Sequence, residues 1–241
     1  QTKKIFGEYL NDVNINEICF NGDGSIWTQD FKSIWTEHKR DISYDEMMAF
    51  AVPVASHKED TLKGSKPILS ASLNDGERVQ IVIPPVTKKG RLSITIRKPS
   101  KTRYTLEDYD KQGIFKKIIQ NKDKHLTNEE VNLRALFDKG EFKDFLIEAV
   151  KMGKNIVIAG ATGSGKTTFM KSLIDFIPVD ERLITIEDTE EIAFHSHKNF
   201  VQLFYPSEAK EGDPVTSAIL LKSCLRMKPD RILLAELRGG E

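Results

Sequence analysis

The chain reads as an α/β protein in two parts: a small α+β domain, then a domain built on a parallel sheet. Three observations predict this. After Gly153, apolar runs of strand length alternate with segments of helical spacing, the pattern of a parallel sheet with helices on both faces. Within that region, the glycine-rich stretch Gly160–Thr167 separates an apolar run from a helix. In the first hundred residues, by contrast, short strands of strict alternation surround one helix, which predicts an α+β arrangement.

In chain order, Ile15–Phe20 and Ser25–Gln29 read as strands around the turn Asn21-Gly22-Asp23-Gly24. Ser43-Tyr44-Asp45-Glu46 has capping-box spacing and opens a helix to about His57, bent at Pro53. Two alternating strands follow. Val79, Ile81 and Ile83 share one face of 78–83, and Leu92, Ile94 and Ile96 share one face of 92–97. Pro84-Pro85 and Lys88-Lys89-Gly90 mark the loop between them. From Arg103 to about Met152 the chain is polar and helical, and the basic stretch 116–124 reads as a solvated linker face rather than a lipid or nucleic-acid patch. Thr127-Asn128-Glu129-Glu130 is a second capping box, opening a helix to Gly140. Another helix, with Phe142, Phe145, Leu146, Ala149 and Val150 inward, stops at Gly153. Strands are then expected at 156–159, 183–186, 200–204 and 231–235, and helices at 166–177 and 215–227.

With 36 basic and 36 acidic residues the formal charge is +0, so no global basic field attracts nucleic acid. Cys19 and Cys224 lie far apart with no Cys-x-x-Cys, which argues against a disulfide scaffold or a zinc module and suggests a reducing compartment. No apolar run approaches the roughly 20 residues of a membrane span, and no signal peptide is visible.

Gly160-Ala161-Thr162-Gly163-Ser164-Gly165-Lys166-Thr167 has the pattern of a nucleoside-triphosphate binding loop, and Asn155–Ala159 before it reads as a buried strand. Glycines let backbone N–H groups turn inward around phosphate, and the helix that follows, with Phe169, Met170, Leu173, Ile174 and Ile177 at helical spacing, presents its positive end. Lys166 would reach the β- and γ-phosphates, and the Thr167 hydroxyl would hold Mg²⁺. Two further strands run into acids, at Glu187 and at Glu236. In open α/β sheets ligands bind beyond such strand ends. In a triphosphatase one such acid holds Mg²⁺ through water, and another orients or deprotonates the attacking water. The metal acid in many of these enzymes is Asp; here the strand ends in Glu236. Arg78 and Arg97 lie opposite the apolar faces of their strands, so pairing those strands puts both guanidiniums on one polar face, where arginines can neutralise phosphate charge. His195 and His197, two apart, lack a third ligand at metal spacing and read as a solvated loop.

At this point the residues resemble a known family. Gly-Ala-Thr-Gly-Ser-Gly-Lys-Thr-Thr at 160–168, Ile-Thr-Ile-Glu-Asp-Thr-Glu-Glu at 184–191, and the run from Leu225 to Glu241 are similar to those of the secretion traffic ATPases. In particular they resemble the hexameric ATPase at the cytoplasmic base of bacterial type IV secretion systems. Asn74–Gln80 and Ile94–Lys101 resemble that family's N-terminal domain. The resemblance implies an N-terminal α+β domain over 1–105, a helical linker over 106–140 and a RecA-like phosphate-loop ATPase domain over 141–241. That last domain is expected to be incomplete at its C-terminus, because the family continues into a glycine- and histidine-rich motif and a helical region. The resemblance implies ATP and Mg²⁺ as cofactors, with Ala161, Thr162, Gly163, Ser164, Gly165, Lys166, Thr167 and Thr168 on the nucleotide. Thr167 and Glu236 would serve the metal, Glu187 would activate water, and Arg78 and Arg97 would reach the γ-phosphate of a nucleotide lying between the two domains.

It further implies a homo-hexamer at the cytoplasmic face of the bacterial inner membrane, peripherally associated, working with other type IV secretion ATPases and inner-membrane components and without stable nucleic-acid binding. Three readings compete with that motor. An ATPase of type II secretion or type IV pili typically carries Pro after the Glu-Asp pair and often four zinc-binding cysteines; this chain has Thr189 and no cysteine cluster. A nucleic-acid motor would want a basic, aromatic channel loop. A non-hydrolysing, nucleotide-gated assembly module is the third.

Overall fold

The computed structural model describes residues 2–100, 103–117 and 126–236. Most of the basic stretch 116–124, and the motif end from Leu237 to Glu241, lie outside them. The chain packs as two compact units, one formed by residues 1–99 with 178–241 and the other by 100–177.

In the first unit, α1 (Thr2–Asn11), β1 (Ile15–Phe20), β2 (Ser25–Asp30), β3 (Trp35–Lys39), α2 (Tyr44–His57), β4 (Ile68–Ser72), β5 (Arg78–Val82) and β6 (Ser93–Arg97) precede β7 (Leu183–Glu187), β8 (Phe200–Phe204), α7 (Ser217–Cys224) and β9 (Arg231–Leu234). Strands β1–β6 form an antiparallel sheet of order β3-β2-β1-β6-β5-β4. Its alternation sorts the side chains. Ile18, Phe20, Val79, Ile81, Ile94 and Ile96 face α1 and α2, where Phe6, Met47, Phe50 and Ala51 complete a dry core. Both halves of the Ser43/Glu46 capping box are present at the start of α2. The other face of this sheet is polar yet buried. Cys19, Thr95 and Gln80 stand in one cross-strand row, and Gln80 Nε2 donates to Ser223 Oγ on α7 at 2.9 Å.

The second sheet of this unit is parallel, in the order β8-β7-β9. It shares an apolar cluster with the first: Val82 and Val86 pack with Ile184, Ile186, Leu203, Leu220 and Met227. Arg182, fully buried, ties the two together. Its Nη1 donates to Asn21 Oδ1 (2.7 Å) and Asn199 Oδ1 (2.6 Å), and its Nε to the Met227 carbonyl (3.0 Å).

The second unit holds α3 (Leu106–Lys111), a single 3-10 turn at Phe115–Lys117, α4 (Asn128–Asp138), α5 (Phe142–Lys151) and α6 (Lys166–Ile174). The Thr127/Glu130 capping box starts α4, and Phe137 meets Phe142 and Phe145 edge-on at 5.5 and 5.3 Å.

Several expectations are corrected. Residues 156–159 do not form a strand: Ile156 and Val157 are 37 % and 79 % exposed. An apolar run becomes a strand only when a neighbouring strand takes its N–H and C=O groups, and among the described residues this run has no strand partner. Phe142 is exposed rather than inward, whereas Ala149 and Val150 are buried, as are Ile174 and Ile177 on the helix after the glycine-rich loop. The helices expected over 166–177 and 215–227 are shorter, at Lys166–Ile174 and Ser217–Cys224. Helix α1 and strands β3 and β4 were not expected from the sequence.

Candidate functional site

The phosphate-binding loop lies in the second unit. Gly163 and Gly165 are left-handed, with φ of 76° and 84°. A side chain at either would be strained in that conformation. A Cβ at Gly160 would come within 2.6 Å of Ser164 Oγ, so the loop closes on itself tightly. Helix α6 starts after Gly165 with no side-chain cap, as α5 does after Glu141, whereas α2, α3, α4 and α7 are capped by Ser or Thr. The first N–H groups of α6 are therefore left for an external acceptor. Lys166 curls back, its Nζ donating to the carbonyls of Gly160 and Ala161 at 2.9 Å each. These carbonyls hold an ammonium over the loop mouth that an anion could take instead. Thr167 is half-buried, and Ala161, Thr162, Ser164 and Thr168 are exposed. The donor set, with free helix N–H groups, a lysine and a threonine hydroxyl, fits a phosphate chain with its Mg²⁺.

The two acids and the two arginines lie in the first unit. Glu187 ends β7, and Glu236 follows β9, its immediate parallel neighbour; Ala235 N donates to the Ile186 carbonyl at 3.0 Å. Both acids thus stand at the carboxyl edge of one sheet. They differ in environment: Glu236 is exposed, Glu187 wholly buried. Glu187 Oε2 accepts from the backbone N–H of Glu191 (2.8 Å) and Ile192 (2.9 Å). Its Oε1 accepts from Thr185 Oγ1 (2.5 Å) and Gln202 Nε2 (3.2 Å). The carboxylate holds the turn that follows β7. Thr185 was findable from sequence, being two residues before Glu187 on a strand; Gln202, on the adjacent strand, was not.

Arg78 and Arg97 are direct register partners on β5 and β6, and both are exposed. Sequence reasoning missed what surrounds them. Glu17 on β1 is the other register partner of Arg97, with Oε1 3.4 Å from Arg97 Nε. Burial pushes its carboxyl up to about 7, against the opposing pull of Arg97, Lys228 and Arg182. A cavity of about 600 Å³ opens here, lined by Glu17, Lys58, Arg78, Arg97, Arg226 and Lys228 among others. His197 is buried in a loop and His195 exposed. Cys19 and Cys224 are buried free thiols, and burial pushes Cys224 up to about 12.

A phosphate-loop helix start, together with a parallel sheet carrying acids at its carboxyl edge, defines the class of the nucleotide-binding α/β proteins. The comparisons with known proteins narrow that class. Residues 123–241 match the family model described as Type II/IV secretion system protein. The chain is 50 % identical over 236 residues to the type IV secretion system protein VirB11 of Brucella suis biovar 1, covering 97 % of this chain and 65 % of that protein. It is 40 % identical over 242 residues to VirB11 of Bartonella quintana, covering 96 % of this chain and 68 % of that one. Its fold matches a solved structure, the VirB11 ATPase of the Brucella suis type IV secretion system in complex with sulphate. That match has a TM-score of 0.91 and 46 % identity, over 99 % of this chain and 71 % of the other. The chain belongs to the VirB11 family of type IV secretion system proteins. It spans about 65 % of the length of the Brucella relatives it matches. Among the described residues, no helix is long and apolar enough to cross a membrane.

Proposed function

We propose that this chain is the catalytic part of an ATP-hydrolysing hexameric motor that powers type IV secretion substrate transfer or pilus assembly at the cytoplasmic face of the inner membrane. In this reading it is peripherally associated there, beside other secretion ATPases and inner-membrane components, and without stable nucleic-acid binding. The observation that carries the reading is a phosphate loop with an uncapped helix start and a lysine donating to the loop's own carbonyls, in a chain half identical to VirB11 proteins. The same family membership favours type IV over type II secretion.

Magnesium-bound ATP supplies the phosphoanhydride to be cleaved and the cation that neutralises its developing charge. The residues at 161–168 would bind its phosphates through loop N–H groups and Lys166, and Thr167 and Glu236 would serve the Mg²⁺. Glu187, wholly buried with donors on both oxygens, would have to release one of them to position the attacking water. Arg78 and Arg97 bind the terminal phosphate and make the N-terminal domain sensitive to ATP over ADP. The domains assigned are 1–105, a helical linker over 106–140, and an ATPase domain over 141–241.

The test is ATP turnover by the parent and by Lys166→Ala. A preorganised charge of this kind is worth roughly 3 kcal/mol or more of barrier, so turnover should fall by about a hundredfold or more while the circular dichroism spectrum is unchanged. Equal turnover by the two, or none by either, removes the hydrolytic reading; the second result leaves a nucleotide-gated assembly module.

A further inference from the structure

The cavity beside Arg78 and Arg97 is charged in an unusual way. Five cationic side chains line it, Lys58, Arg78, Arg97, Arg226 and Lys228, together with His57. Two of them have outer partners: Lys58 lies 3.8 Å from Asp60, and Lys228 3.8 Å from Asp230. Arg78 and Arg97 stand directly opposite each other on neighbouring strands. Like charges so placed are unfavourable unless an anion sits between or beside them. The carboxylate lining the cavity is Glu17, whose side chain is 4 % exposed and engages Arg97. A carboxylate drawn out of water into a cationic cavity occupies the place an oxyanion would otherwise take.

We propose that Glu17 is an internal competitor for this cavity: a doubly charged oxyanion, either the terminal phosphate of a nucleotide or a free ion, enters beside Arg97, and Glu17 takes up one proton from solvent as it does so. For the nucleotide the inference rests on the reading of Arg78 and Arg97 given above; for a free oxyanion it does not. Glu17 is a positioning residue here, since it acts through Arg97. The charged groups that face it are Arg97 from β6, Arg182 from just before β7 and Lys228 from the loop after α7, with the Cys19 thiol on its own strand. Its carboxyl, pushed up to about 7 by burial, is poised so that a second negative charge nearby completes its protonation. The site is then tight below neutral pH and weakens above it.

Calorimetry on the whole chain reads this directly, using magnesium-ATP, ADP and sulfate from about pH 6 to about pH 9 in two buffers of different ionisation heat. Sulfate has no titrating proton in that range. The parent should take up a proton on binding ATP or sulfate and lose roughly tenfold in affinity as pH rises through Glu17's range, since one linked proton gives at most tenfold per pH unit. Glu17→Gln should bind with no linked proton and, at the alkaline end, about tenfold more tightly than the parent. His57→Gln should keep the parent's pH dependence. No proton uptake by the parent overturns the proposal whether or not any variant folds. So does a Glu17→Gln protein that keeps the parent's slope, or a His57→Gln protein that loses it. Arg97→Ala separates the two readings. If it keeps the parent's preference for ATP over ADP while sulfate still binds the parent with proton uptake, the terminal-phosphate role falls and the Glu17 competitor stands for a free oxyanion.

Discussion

Glu187 is bound on both oxygens by its own fold. Two backbone N–H groups, a hydroxyl and an amide all donate to it. Spacing alone marks such a residue as an acid at a strand end and says nothing of its saturation. Glu187→Gln keeps the shape but turns an amide NH₂ toward either the paired N–H groups of Glu191 and Ile192 or the Thr185 and Gln202 donors. A lost charge-assisted hydrogen bond costs about 1.5–3 kcal/mol, and urea unfolding should show a drop of that size. Should the same residue also position water, turnover per bound ATP falls while nucleotide affinity holds. Unchanged stability would remove the anchoring role, and unchanged turnover would remove the chemical one.

At the scale of elements, α7 shows how a short helix is made to hold a position. Its N-cap Thr216 accepts from Ile219 N at 3.2 Å, and its last turn places Ser223 under Gln80 of the N-terminal sheet. Thr216→Ala removes the cap, worth roughly 1 kcal/mol. Because the helix bridges both sheets, that loss should appear in global urea unfolding and not only as local fraying. A normal midpoint with faster amide exchange confined to 217–220 would mean that α7 is not part of the cooperative core. Capped helices were legible in the sequence: Ser43/Glu46 and Thr127/Glu130 both mark true starts. Helix α1 was missed because it has no acidic residue in its first turn and no basic one in its last. Strands β3 and β4 were missed because they lie at the sheet edges, where half-exposed residues blur the alternation.

Across the whole molecule, the first unit joins residues far apart in sequence. Arg182 holds Asn21, Asn199 and the Met227 carbonyl at once, and Phe204 N donates to the Val86 carbonyl at 2.7 Å. Arg182→Met fills the volume but leaves two buried acceptors, Asn21 Oδ1 and the Met227 carbonyl, without a donor, each costing about 1–3 kcal/mol, while Asn199 Oδ1 keeps Asn21 Nδ2. Native-state hydrogen exchange should find the slowest amides of β5–β6 and of β7 opening together in the parent. In the variant they should open separately, β5–β6 first or β7 first. Coincident opening in both proteins would show that the shared apolar cluster around Val82 and Ile184 suffices alone.

The sequence by itself determined the features that one short stretch of backbone carries. The loop at 160–167, the caps, and the faces of β5 and β6 that put Arg78 beside Arg97 all follow from periods of two or 3.6 and from glycine's freedom. The family resemblance was legible for the same reason, since its motifs are contiguous. Tertiary structure alone decided the order β1-β6-β5, and with it the meeting of Glu17 and Arg97. It also decided that the polar face of the first sheet is buried, that Glu187 is saturated, and that 156–159 forms no strand. Each of these depends on which distant segment supplies a hydrogen-bond partner or excludes water. The alternation of residues along a chain carries a side chain's face but not its neighbour.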